Sequence, residues 1–205
     1  WIFTALICMG AALAAPAQIP FEVFAGENRT TLDVMFFRNF KNRAGQPSAF
    51  LFFNRNRAAV DHSNRTAFGS TNAVSYNFKS GLGLVAVGQV LGAGFFPKAG
   101  AQFYARKKDL TVFTWAVVEL MKDPDVDWFL LARFQPKIRG AWRLFSQLEL
   151  VNGLAPDGSV SLTQRGRIGI GWRDWQLGAG ADFSQAGKND LATTRNAGAF
   201  LRHEF

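Results

Sequence analysis

The sequence predicts an all-β fold made of antiparallel hairpins. Runs such as "TVFTWAVVELM", "GAWRLFSQLELV" and "SVSLTQRGRIGIGW" alternate between apolar and polar side chains. The segments between such runs, for example "KDPD", "PKIR" and "NGLAPDG", are rich in Gly, Pro, Asp and Asn. Period-two alternation indicates a strand with two different faces, and these residue types favour tight turns. Consecutive strands joined by such turns pair in antiparallel fashion.

Composition excludes two other classes of protein. The 205-residue chain is 48% hydrophobic and 14% aromatic, which is too apolar for a disordered chain. Beyond the opening segment, no apolar run approaches the roughly 18 residues that a membrane-spanning helix requires. The formal charge of +8 makes the chain basic.

The opening segment predicts a signal peptide. "WIFTALICMGAALAAPAQIP" is short, apolar and rich in small residues, and an A-x-A processing pattern at Ala15–Ala17 precedes Gln18. We therefore predict a signal peptide over 1–17 and a single domain over 18–205. The segment has no basic start, which indicates that the true amino-terminus is missing. Lipidation of Cys8 is disfavoured because the apolar run continues past it.

Each face of a predicted strand has one chemical character, either apolar or polar. Within the run that ends at Trp172, one face carries Val160, Leu162, Ile168, Ile170 and Trp172, and the other carries Ser159, Ser161, Thr163, Arg165, Arg167 and Gly171. A sandwich in water, with its apolar face inward, shows the same alternation as a barrel in a membrane, with its apolar face outward. The alternation alone therefore does not separate the two architectures.

Two further patterns favour a closed antiparallel up-and-down transmembrane β-barrel. Tryptophans stand near predicted strand ends, where membrane barrels place interfacial aromatic girdles: Trp115, Trp128, Trp142, Trp172 and Trp175. The connections also alternate in length. "KKD", "PKIR" and "RD" are short, whereas "VDHSNRTAFGST", "LGAGFFP", "NGLAPDG" and "QAGKND" are longer. Bacterial barrels combine short periplasmic turns with longer outer loops.

The final residues, "AGAFLRHEF", resemble the carboxy-terminal targeting strand of bacterial outer-membrane β-barrel proteins. Phe205, Leu201, Ala199 and Ala197 fit that pattern, and His203 stands where an aromatic residue such as Tyr is more usual. The chain also looks like the small, functionally unassigned barrels of Bacteroidota. The resemblance implies a bacterial outer-membrane location, contact with outer-membrane lipid and lipopolysaccharide, and insertion by the barrel-assembly machinery. It implies no activity.

Turn positions predict about twelve strands, the kind of even number that bacterial barrels favour. Their predicted ranges are 21–26, 30–40, 48–60, 72–80, 83–91, 98–107, 111–121, 126–135, 140–152, 159–172, 175–184 and 191–205. Ten strands are the alternative, because 21–26 is short and the glycine-rich "SGLGLVAVGQVLGAG" can be divided in more than one way.

If the apolar faces meet lipid, most charged side chains face the lumen. An Arg or Lys that faced the centre of the hydrocarbon would cost about 2–4 kcal/mol. The lumen is then expected to collect Asp33, Arg55, Arg57, Lys79, Arg106, Glu119, Asp127, Arg133, Arg143, Glu149, Arg165, Arg167, Asp182, Arg202 and Glu204. As pore-lining residues we predict Arg133, Arg143, Arg165 and Arg167, with Glu119, Glu149, Asp127 and Asp182 as opposing charges.

This lumen predicts a porin-like channel for passive diffusion of small solutes, with a preference for anions. Basic groups outnumber acidic ones, and a guanidinium can bind a carboxylate or phosphate through two parallel hydrogen bonds. The alternative is a filled barrel in which Arg133 pairs with Glu149 and Arg143 with Asp127. Such a barrel would act through its outer loops, notably 61–71, in adhesion or as a scaffold.

A membrane-embedded hydrolase is the third and weakest hypothesis. The segment "DHSN" holds Asp61, His62, Ser63 and Asn64, which are residue types used in nucleophilic catalysis. Adjacency does not make a catalytic triad, which depends on geometry, and these types are also ordinary turn residues. We therefore expect no enzyme activity, no metal and no cofactor. The arginines of "NRNRAAVDHSNR" are expected to meet lipopolysaccharide phosphates and not nucleic acid.

Overall fold

The computed structural model describes residues 19–121 and 124–205 and shows thirteen β-strands over those ranges. Over the same residues, no helix is long and apolar enough to cross a membrane. The predicted signal peptide lies outside the described residues and stays a prediction. The strands are β1 Pro20–Gly26, β2 Arg29–Lys41, β3 Pro47–Asp61, β4 Thr66–Asn77, β5 Leu82–Leu91, β6 Gly94–Lys107, β7 Leu110–Glu119, β8 Val126–Phe134, β9 Lys137–Arg139, β10 Trp142–Leu154, β11 Val160–Trp172, β12 Trp175–Gly187 and β13 Ala192–Glu204.

Twelve of these strands close into an antiparallel barrel. Each pairs with its neighbours along the chain, and the last strand returns to the first, with Pro20 opposite Glu204 and Phe24 opposite Phe200. Strand β8 pairs directly with β10, while the short β9 pairs only with the start of β10. The prediction of twelve strands is confirmed, and the alternative of ten is wrong.

The two ends of the barrel have similar turns. We call the end where β1 begins and β13 ends the proximal end, and the opposite end the distal end. Two-residue turns occur at both, as at 27–28 on the distal side and 173–174 on the proximal side. The predicted sorting of connections by length is therefore wrong.

The predicted outer loop 61–71 is largely strand. Strand β4 begins at Thr66, which pairs with Val60, so the turn spans only 62–65. Its start was missed because "TAFGST" mixes small and polar residues. Backbone pairing with β3 holds this segment in the sheet without an apolar signal in the side chains.

Apolar side chains on the strands face outward. Ile168 in β11 is 61% exposed and Leu177 in β12 is 60% exposed, whereas the inward-facing Arg167 and Asp182 are buried. The same alternation exposes Leu32, Val74, Leu84, Leu148, Ile170 and Leu201 on other strands. A continuous apolar belt of this extent is far beyond the patches that monomers in water expose, and contact with lipid hydrocarbon accounts for it.

An aromatic girdle surrounds the proximal end. Trp142 and Trp172 lie across a strand pair with ring centroids 6.4 Å apart. His203 packs between Trp175 and Phe205, at 4.3 and 4.4 Å. The histidine that departs from the usual targeting pattern therefore occupies the aromatic position and makes aromatic contacts there.

Trp115 does not belong to a girdle, and this part of the prediction is wrong. Its side chain is only 4% exposed and packs inside the barrel against Phe53, Phe113 and Phe129. In "TVFTWAVVE" both faces of the strand carry apolar residues. The hydrophobic pattern therefore cannot tell which face is inside, and the paired register decides it.

Replacing Gly180 by Val is expected to destabilise the barrel by about 1–3 kcal/mol, because an added Cβ would stand 2.6 Å from Cδ of Arg167. That arginine is held by Glu22 and Asp182 and cannot move aside. The matched control is Gly166→Val, on the lipid face, where an added Cβ meets nothing within 4 Å. Free energies of unfolding in urea measure both, and equal losses would contradict the packing described.

Candidate functional site: the barrel interior

One half of the interior wall is apolar. The inward-facing apolar side chains of β2 to β8 form one buried cluster, the aromatic cluster, made of Met35, Leu51, Phe53, Ala73, Val85, Val87, Phe113, Trp115, Val117, Phe129 and Leu131. Charged inward-facing side chains such as Arg55 and Lys98 stand on the same strands. The expectation that the apolar faces meet lipid is wrong for this half of the wall. The missed signal was continuity: runs such as "FLFF" and "WFLL" are apolar at consecutive positions, as in strands buried on both faces.

Rings from non-adjacent strands meet in this cluster. Phe53 of β3 stacks on Phe113 of β7, with centroids 5.5 Å apart and planes 17° apart. Trp115 contacts Phe129 at 5.0 Å, and Phe37 of β2 contacts Phe113 at 4.9 Å. Because β2 and β3 are not neighbours of β7 in the sheet, the contacts of Phe37 and Phe53 with Phe113 run through the lumen. Trp115 and Phe129 instead face each other across the paired strands β7 and β8.

The rest of the interior is charged, and an ion pair between opposite strands crosses it. Nη1 of Arg55 lies 2.8 Å from Oε1 of Glu149. Arg55 stands on β3 and Glu149 on β10, which are six positions apart in the ring of twelve strands and therefore face each other. The same guanidinium donates from Nε to Asp33 at 3.0 Å, and its Nη2 contacts the second oxygen of Asp33.

Asp182 of β12 is the carboxylate that most arginines share. Its side chain is fully buried, with Nη2 of Arg57 at 2.9 Å and Nη1 of Arg167 at 2.8 Å. Nitrogens of Arg29 and Arg165 approach it at 3.9 Å. One carboxylate thus serves four guanidinium groups.

Several buried guanidinium nitrogens lack acceptors within the described ranges. Nε of Arg165 makes no hydrogen bond, although the same residue pairs through Nη1 with Glu149. Nη2 of Arg133 also lacks a partner, and its Nε donates to the neutral Gln147 at 2.9 Å. Buried donors without acceptors are uncommon in folded proteins, so the charged network is incompletely satisfied at these nitrogens.

Aromatic rings support the charged half from one side. The guanidinium carbon of Arg167 lies 3.9 Å from the ring centre of Phe24, and that of Arg202 lies 5.4 Å from the ring centre of Phe145. Phe145 in turn packs against Phe200 at 5.4 Å. Cation–π contacts of this kind hold the two arginines against the wall.

Two cavities lie on opposite sides of a narrow waist, which we define as the Arg55–Glu149 bridge together with the aromatic cluster. The distal cavity has a volume of about 510 Å³ and reaches the distal rim at Ser159. The proximal cavity has a volume of about 380 Å³ and is bounded by Pro20 and Glu204 at the proximal rim.

The eight predicted pore-lining residues fall into four groups. Glu119, Asp127 and Arg165 line the distal cavity, and Arg133 lines the proximal cavity. Glu149, Arg167 and Asp182 lie buried in the ion-pair network, and Arg143 is exposed near the start of β10. Their role in conduction stays a prediction.

The ion pairs differ from those the sequence suggested. Strand register places Arg133 opposite Gln147 and Glu149 opposite Arg165. Asp127 instead meets Lys98 at 2.5 Å, and Lys98 also approaches Glu119 at 3.9 Å. Lys98 was not among the predicted site residues, although alternation along β6 places it on the inward face.

The "DHSN" segment forms a distal turn. The carboxylate of Asp61 accepts backbone N–H bonds from Ser63 at 2.9 Å and Arg65 at 2.8 Å, while His62 is exposed. These are the contacts of a turn that caps itself. In the distal turn between β10 and β11, the backbone N–H and hydroxyl of Ser159 hold the pKa of Asp157 below its ordinary value.

No group of metal-ligating side chains occurs among residues 19–121 and 124–205.

No protein-family model and no curated protein matches the chain. Among solved structures, the KdgM porin is similar to it, with 11% identity, a TM-score of 0.50, and coverage of 92% of this chain and 99% of that one. The NanC porin is similar with 10% identity, a TM-score of 0.52, and coverage of 92% and 98%.

The chain is an outer-membrane β-barrel. The similarity shows the fold, over almost the whole length of both porins. The apolar outer belt and the aromatic girdle supply the physical reason for a membrane location, because this surface matches lipid and not water. The barrel accordingly belongs to the bacterial outer membrane, as the terminal strand implied.

Removing one partner of the crossing ion pair is expected to cost about 3–5 kcal/mol, because the other charge stays buried. In a double-mutant cycle of Arg55→Gln and Glu149→Gln, the double variant should lose less than the sum of the singles, by about 1–3 kcal/mol. The control cycle uses Arg195 and Glu27, an exposed rim pair at 3.7 Å, where the coupling should stay below about 1 kcal/mol. Additive losses at Arg55 and Glu149 would contradict a direct bridge.

Proposed function

We propose that this barrel is a channel for passive diffusion of small anionic solutes. The observation that carries the proposal is the pair of cavities that enter from opposite ends and meet at an arginine-rich waist. Together they mark a path through the barrel that is interrupted only by side chains. A polar interior inside a lipid-embedded barrel is the arrangement from which outer-membrane pores are built.

Charge at the waist favours anions. In the connected network, six arginines surround five carboxylates: Arg29, Arg55, Arg57, Arg165, Arg167 and Arg202 with Glu22, Asp33, Glu149, Asp182 and Glu204. Arg133 lies beside this network and makes no ion pair within the described residues. The network therefore carries more positive than negative charge. A low-dielectric wall focuses the electric field of this excess positive charge, which raises the local concentration of anions.

The proximal cavity carries the same sign of charge. Arg38, Lys41, Arg106 and Arg133 line it, against one carboxylate, that of Glu204. An anion that crosses the waist therefore meets a basic surface on the proximal side as well. The two similar barrels are both porins, and this agreement in fold supports a transport role by analogy.

A sealed barrel is the second candidate, and a specific observation favours it. The Arg55–Glu149 bridge and the stacked rings of Phe53 and Phe113 occupy the lumen at the same level. A barrel filled in this way would act through its distal turns, as an adhesion or scaffold protein. The two candidates differ in one measurable property, the passage of current.

The discriminating experiment is a bilayer recording of the chain from Gln18 onward, refolded and inserted under a salt gradient. Heat-modifiable gel migration confirms a folded barrel beforehand. A channel gives stable current steps with a reversal potential on the anion side. A folded barrel that passes no current would contradict the channel and support the sealed barrel.

The combined variant Arg133→Gln and Arg165→Gln is expected to shift the reversal potential toward zero, because it removes one cation from each cavity. The matched control replaces Arg139 and Arg195, which are exposed at the two ends of the barrel, and should leave the reversal potential unchanged. An unchanged potential in the first variant would remove these two arginines from the solute path.

A further inference from the structure

The distal cavity has an apolar wall, a cationic wall and a third part of mixed charge, where Lys98 lies with Glu119, Asp125 and Asp127. Its apolar wall is formed by Phe53, Leu91, Phe96, Trp115, Phe129 and Val151. Its cationic wall is formed by Arg55, Arg57 and Arg165, which belong to the charged network of the waist. The cavity thus joins the apolar and charged halves of the barrel interior in one space.

The apolar wall is preformed. Trp115 is fixed by ring contacts with Phe53 at 5.2 Å and Phe129 at 5.0 Å. Phe96 on β6 is half-buried, faces inward and lies outside the aromatic cluster, so its ring is free to cover a bound molecule. A fully hydroxylated solute would lose hydration against these rings without new hydrogen bonds, whereas an apolar group would be stabilised there.

The cationic wall has donor capacity left over. Nε of Arg165 has no hydrogen-bond partner among the described residues, and Arg57 shares both its carboxylates, Asp33 and Asp182, with other arginines. A carboxylate placed between Arg57 and Arg165 would accept hydrogen bonds from both guanidinium groups. Charge-assisted hydrogen bonds of this kind are short and strong.

We propose that the distal cavity binds small amphipathic carboxylates, with the charged group on Arg57 and Arg165 and an aromatic or branched apolar body on Phe96 and Trp115. The volume of about 510 Å³ is in the range of pockets that hold one small molecule. This inference deepens the proposed function, since it names the class of anion that the channel selects. Purely polar anions would touch only one of the two walls.

Isothermal titration of the wild-type barrel in nanodiscs tests the proposal, with empty nanodiscs subtracted to remove partitioning into lipid. Three probes separate the two walls: 3-phenylpropionate has both groups, gluconate has only the charge, and 3-phenylpropanol has only the ring. We expect 3-phenylpropionate to bind about tenfold more tightly than either of the others. Equal binding of gluconate, or no saturable binding of 3-phenylpropionate, would overturn the proposal.

A matched pair of variants locates the site. Phe96→Ala removes the inward ring and should weaken binding of 3-phenylpropionate about tenfold. Phe95→Ala changes the neighbouring residue, which is 59% exposed on the outer face, and should leave binding unchanged. Equal weakening in both variants, or none in Phe96→Ala, would place the ligand elsewhere and overturn the assignment.

The binding experiment and the conductance experiment can fail independently of each other. A barrel that binds 3-phenylpropionate but passes no anion current would refute the channel and keep the site. A barrel that passes anion current and does not distinguish 3-phenylpropionate from gluconate would keep the channel and overturn the site.

Discussion

The Arg55–Glu149 ion pair joins opposite walls of the barrel, and the organisation of the lumen depends on it. Burial makes each charge costly alone, and the pair is stabilised by Asp33, which contacts the guanidinium of Arg55, and by Arg165, which contacts the same carboxylate oxygen of Glu149 as Arg55 does. The bridge divides the interior into two cavities and holds the arginines of β3 and β11 toward its centre. A barrel of twelve strands is wide enough for a channel. The bridge nearly closes this barrel at the waist.

Apolar side chains and charged side chains fill different sides of the barrel interior. The aromatic cluster fixes one side of the lumen, and the ion-pair network fixes the other. Small residues leave room for the longest side chains, as where Arg167 lies against Gly180. The barrel is therefore apolar outside and amphipathic inside. In the account proposed here, that interior selects a solute by both its charge and its apolar surface.

The sequence predicted the strands well because alternation and turn residues are local signals. The existence of β1 to β8 and of β10 to β13 follows from them, although the start of β4 was missed. Strand β9 was missed because three exposed residues carry no pattern. Interior contacts were harder to predict. Trp115 was assigned to the wrong face because both faces of β7 are apolar. The partners of Glu149 could not be predicted because Arg55 lies across the closed barrel, and no local pattern reveals which strands face each other. Arg133 and Arg165 line the two cavities, in agreement with the expectation that a charged side chain on a strand turns away from lipid.

The single-channel conductance of Glu149→Gln, recorded beside the wild type in the same bilayer and salt, tests whether the ion pair closes the waist. If the bridge limits passage, loss of the carboxylate lets Arg55 withdraw to Asp33 and the unit conductance rises severalfold. The comparison variant Glu27→Gln, at the exposed distal rim, should conduct like the wild type. Equal conductance of Glu149→Gln and the wild type would contradict the claim that this ion pair closes the waist.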